Sequence, residues 1–87
     1  MKTVLFVKGS ESMKSTQIKL QAPEEVKEFV NAATLCDFDI DVSYNSIIVD
    51  AKSFLGVLSL DLSRALTVAC MGYDPTFDNT LKKYSLA

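Results

Sequence analysis

The sequence has no histidine, no tryptophan and a single arginine, and its 87 residues include three glycines, two prolines and two cysteines. The missing histidine excludes every mechanism that needs imidazole as base, nucleophile or phosphate acceptor. Cys36 and Cys70, with no second pair and no histidine, do not make a four-ligand zinc site. Both lie in apolar stretches and read as reduced, buried thiols of a cytosolic protein. Gly9, Gly56 and Gly72 are too scattered for a phosphate-cradling loop, and no triad or metal motif is present. No run approaches the roughly 20 apolar residues of a membrane span. The longest apolar-rich run, Phe54 to Leu62, contains Asp61, and Val4 to Val7 is too short for the core of a signal peptide. Nine basic against eleven acidic side chains leave a net charge of -2, without the basic stripe of a nucleic-acid binder. The expectation is a cytoplasmic protein with no cofactor, no metal, no nucleic acid and no membrane among its partners.

Hydrophobic residues make up 48% and charged residues 23%, a balance that folds as one small domain. Residues 1–12, MKTVLFVKGSES, read as an extension or an extra strand. Thr3 to Val7 has strand composition, Gly9 to Ser12 reads as a break, and Met13 is a plausible natural start. Residues 13–87 form the domain proper. Ser15 to Gln21 alternates Thr16, Ile18 and Leu20 against Gln17 and Lys19, a half-buried strand. Ala22-Pro23 opens a helix, with Glu24 and Glu25 where the helix dipole favours negative charge. Val26, Phe29, Val30 and Ala33 give that helix a core-facing stripe.

Asp39 to Tyr44 and Ile47 to Val49 form a hairpin around Asn45-Ser46. Ser53 is the natural N-cap of a short helix over Phe54 to Leu60. Leu66 to Met71 is a fourth strand. Asp74 and Pro75 start a last helix, striped by Phe77, Leu81 and Tyr84. The order β-α-β-β-α-β-α predicts an α/β (α+β) two-layer open-faced sandwich: a four-stranded, mainly antiparallel sheet with three helices on one face.

Lys52, Ser53, Gly56, Val57, Ser59 and Leu60 match a K-S-x-x-G-V-x-S-L block, and here the chain resembles the HPr family. HPr is the histidine-containing phosphocarrier of the bacterial sugar phosphotransferase system. The likeness extends over roughly residues 15–84 and agrees in element order. The resemblance implies an active site of the form G-[IL]-H-A-R-P-A at the start of the first helix. The corresponding stretch here is Leu20 to Val26. Counting back from Val30 without gaps puts Ala22 at the histidine position and Glu24 at the arginine position, both degenerate. Two unit charges about 6 Å apart, at an effective dielectric near 20, repel by roughly 3 kcal/mol. A phosphate arriving beside Glu24 and Glu25 would meet that repulsion and no arginine, because Arg64 lies in another loop. Cys36 as a substitute carrier falls at the far end of the first helix.

The resemblance also implies a second role. In HPr of low-GC Gram-positive bacteria and in its relative Crh, the serine of the K-S block is phosphorylated by an ATP-dependent serine kinase, and the product binds a transcriptional regulator. Crh also lacks the histidine. Ser53 takes that position, which makes it the regulatory phosphorylation candidate; the plainer reading is an N-cap alone. Around the short helix, Phe54, Leu55 and Leu58 widen the apolar arc to about 220°, more than a surface helix needs. With Lys52 they are the candidate partner-binding residues.

Three functions follow. The first is a non-catalytic, Crh-like protein-binding and regulatory domain, not an enzyme, switched at Ser53. The second is a phosphocarrier of the phosphotransferase system. The third is a structural or oligomerising module, such as a homodimer, that kept only the fold.

Overall fold

The structure, a computed structural model, describes residues 14–86. The expected extension or strand over residues 1–12 lies outside them. The elements are β1 (Lys14–Ile18), α1 (Pro23–Thr34), β2 (Ile40–Tyr44), β3 (Ile47–Asp50), α2 (Phe54–Leu58), β4 (Leu66–Cys70) and α3 (Pro75–Tyr84). The sheet order is β1-β4-β2-β3, and all three neighbouring pairs are antiparallel. Thr16, Val68, Val42 and Val49 fall in one cross-strand row. In the adjacent row, Gln17, Thr67, Ser43 and Ile48 point to the opposite face. This is the expected open-faced sandwich, with α1 and α3 packed together and α1 also against α2.

The core lies between the sheet and the helices. Val26, Phe29, Val30 and Ala33 of α1 are buried, as are Phe77 and Leu81 of α3 and Val57 of α2. Phe29 and Phe77 meet with ring centroids 5.7 Å apart and planes tilted by 50°. Burying each ring contributes about 1.5–3 kcal/mol, and the tilted pair adds about 0.5–1.5 kcal/mol. At the hairpin, Asn45 takes a φ of 56°, a left-handed conformation that asparagine tolerates better than most side chains. Gly72 is required for a different reason. A Cβ there would lie 2.6 Å from Cδ2 of Phe38, a ring packed against the core.

A polar tie fastens α1 to α3. Glu28 accepts from Lys83 Nζ at 2.7 Å and from the Tyr84 hydroxyl. The Lys83 bond, then the Tyr84 bond, holds the Glu28 carboxyl below its ordinary range. Burial, and then the bond to Glu28, pushes the Tyr84 hydroxyl up to about 12.

Four elements are shorter than the sequence predicts, β2 and β4 by one residue each and β1 and α2 by two. β1 ends at Ile18, opposite Leu66, the first residue of β4. The Lys19 amide then donates to the Tyr84 carbonyl at 3.0 Å. α2 ends at Leu58 because the Ser59 hydroxyl turns back onto the Gly56 carbonyl at 2.6 Å and the Leu60 amide donates to Val57.

Candidate functional site

The residues singled out in the sequence fall at two helix starts. At the start of α1, Ala22 is the N-cap, extended at φ -144° and ψ 155°, with no side-chain cap. Pro23 fits the first position because it lacks an N–H. The Ala22 carbonyl accepts from the Glu25 and Val26 amides at 2.9 and 3.1 Å. Glu25 then reaches back, and its Oε1 accepts from the Gln21 N–H at 2.7 Å. This resembles one half of a capping box, displaced by one residue. The helix start thus holds a carboxylate of its own, with exposed Glu24 beside it. No guanidinium is near in sequence or in bonding. Arg64 sits between α2 and β4 with Nε 3.6 Å from Asp61 Oδ2. Asp61 is held below its ordinary range by the Ser63 hydroxyl first, then by the Ser63 amide.

At the start of α2, Ser53 is exposed and extended at φ -106° and ψ 110°. Its Oγ accepts from the Gly56 N–H at 3.0 Å, which makes it the N-cap the sequence predicts. The serine-x-x-glycine spacing has a steric cause. A Cβ on residue 56 would lie 3.1 Å from Ser53 Oγ and 3.4 Å from Val49 Cβ, so glycine leaves room for the cap and for β3. The first turn carries no acidic residue.

The four candidate partner-binding residues separate. Leu55 is 77% exposed and Phe54 36%. Leu58 is half-buried and packed against the core, so the open apolar arc is narrower than the helical wheel predicts. Lys52 is half-buried, and its Nζ donates to the Cys36 carbonyl at 2.9 Å beyond the end of α1. That bond ties the loop before α2 to α1. Cys36 itself is buried at the end of α1 opposite Ala22, about 18 Å away for twelve helical residues. Burial, and then the charge of Asp74, pushes its thiol up. Both cysteines are buried, with no disulfide between them.

Sequence reasoning missed Glu25 as a backbone cap. It also missed a groove of about 320 Å³ lined by Lys27, Val30, Asn31 and Phe54. The apolar Phe54 beside the α1 stripe was the available signal. Among the described residues, no group of three or more His, Cys, Asp or Glu side chains is placed to hold a metal ion. No helix of the described residues is long and apolar enough to cross a membrane.

Comparison with solved structures decides the fold. The chain is similar to the phosphocarrier protein HPr from Bacillus anthracis str. Ames, with a TM-score of 0.63 and 24% identity over 83% of this chain and 94% of that one. The chain has an HPr-like fold. No family model matches the sequence, and no curated protein matches it. On the HPr-like fold, the start of α1 carries Ala22, Glu24 and Glu25, and the start of α2 carries Ser53.

Proposed function

We propose that the chain is a non-catalytic, HPr-like regulatory domain that binds other proteins and is switched by phosphorylation of Ser53. One observation carries the reading. An exposed serine hydroxyl caps a helix whose first turn has no acid, directly beside exposed Phe54 and Leu55. A phosphate on Ser53 would carry about -1.5 to -2 charges at the positive end of a helix. It would change the charge of the surface without removing the apolar contacts. By the family resemblance, the partners are a serine kinase, a transcriptional regulator or a component of the phosphotransferase system, in the cytoplasm. Phe54 and Leu55 make the contact, and Lys52 holds the loop in place.

The phosphocarrier reading rests on likeness of fold. It needs a nitrogen nucleophile, and these 87 residues contain no histidine. The carboxylates at the start of α1 also disfavour an incoming phosphate.

The test uses ATP and an HPr serine kinase. Label enters the wild-type chain and is absent from Ser53→Ala. A partner captured by the phosphorylated chain is lost from Leu55→Ser, which removes the most exposed apolar contact while leaving Ser53 to be labelled. Equal labelling of wild type and Ser53→Ala would overturn the switch.

A further inference from the structure

β1 is an outer strand of the sheet. Along a strand, successive residues present their backbone N–H and C=O to alternate sides. Lys19 N–H donates outward to the Tyr84 carbonyl, and the Gln17 carbonyl accepts outward from Leu86 N–H, each at 3.0 Å. Ser15, Gln17 and Lys19 therefore face away from β4. The residues after α3 cover this edge only from Gln17 onward, with Ser85 bridged to Ile18. Among the described residues, the backbone N–H and C=O of Ser15 meet no partner. Beside that bare stretch, between β1 and α3, lies a groove of about 470 Å³. Thr16, Leu81 and Leu86 give it apolar surface, and Asp78 and Lys82 stand at its rim, paired at 3.3 Å. An open strand edge beside an apolar groove is a template for strand addition.

We propose that this edge and groove form a strand-acceptor site whose occupant is the chain's own segment Thr3–Val7. The segment, TVLFV, presents an apolar residue to the groove in either register. It precedes β1 closely, and Gly9-Ser10-Glu11-Ser12 has the length and composition of a four-residue hairpin loop. With that loop, Phe6 lies opposite Ser15 and Leu5 opposite Thr16. Residues directly opposite each other share a face. Leu5 then enters the groove beside Leu81 and Leu86, and the Phe6 backbone exchanges hydrogen bonds with Ser15. Leu86 occupies the edge at Gln17, so Leu5, Phe6 and Val7 supply the pairing.

Amide hydrogen exchange on the full chain tests this. The Ser15 amide should exchange as slowly as that of Lys19, whose outward N–H already has a partner. Phe6→Pro removes one of the bonds to Ser15 and should speed Ser15 exchange by about tenfold or more, with Lys19 unchanged. A Ser15 amide that is unprotected in the wild type, or is indifferent to Phe6→Pro, would overturn the proposal. Protection that grows with protein concentration would also overturn it, by assigning the edge to a second copy.

Discussion

The starts of α1 and α2 are built from the same backbone device and end in opposite states. Both N-cap residues are extended, and both helices present amides to whatever lies in front. At α1 the cap has no side-chain acceptor, and the space is served by the Glu25 carboxylate on the Gln21 amide. At α2 a neutral hydroxyl closes the turn and the first turn is free of acid. On the function proposed above, a phosphate is disfavoured at the first by the carboxylates in place and tolerated at the second, so the side chains at each helix start, and not the fold, would assign the phosphate chemistry.

The two helices also differ in how they are held, and alkaline titration separates them most strongly. α1 is tied to α3 through side chains of the helices themselves, Glu28 with Lys83 and Tyr84, whereas the polar tie near α2 runs from the loop before it, from Lys52 to the Cys36 carbonyl. Burial, and then the bond to Glu28, pushes the Tyr84 hydroxyl from its ordinary 10.0 up to about 12. That raised value contributes stability that is whole below pH 10 and is lost as pH rises toward 12. Discounted for solvent screening at this partly exposed tie, the loss across that window should be about 1–2 kcal/mol in urea unfolding, and Tyr84→Phe should abolish most of the dependence. Glu28 has the opposite sign. Its depressed carboxyl contributes stability above its ordinary pKa, lost as pH falls through the folded value.

Removing the α2 cap is the next largest effect. Ser53→Ala should cost about 0.5–2 kcal/mol in urea unfolding, because it leaves the Gly56 amide without its acceptor. Glu25→Ala should cost about 1 kcal/mol, from loss of the charge-assisted bond to Gln21. The smallest change should be a gain. Ala22→Ser, in backbone already suited to a cap, should stabilise by about 0.5 kcal/mol. No gain from Ala22→Ser together with no loss from Ser53→Ala would erase the comparison.

Much of the fold was legible because its signals are local. Pro23 and Pro75 mark first helical positions, Ser53 and Asp74 cap as their neighbours predict, and Asn45-Ser46 turns the hairpin. Less of the site was legible. Lys52 is a partner-binding candidate in the sequence, and nothing near it there signals that the fold brings the Cys36 carbonyl to its ammonium. Leu58 belongs to the exposed arc on a helical wheel, yet it packs against the core. The tie from Glu28 to Lys83 and Tyr84 spans 55 and 56 residues, so no local periodicity encodes it. The pairing of Ser85 and Leu86 with β1 is equally non-local.

The most direct measurement of the central claim is phosphotransfer itself. The chain is incubated with enzyme I and radiolabelled phosphoenolpyruvate, and acid-labile phosphate on it is counted. The account predicts none. A phosphoryl group that enters from enzyme I and passes on to a sugar permease component would contradict it.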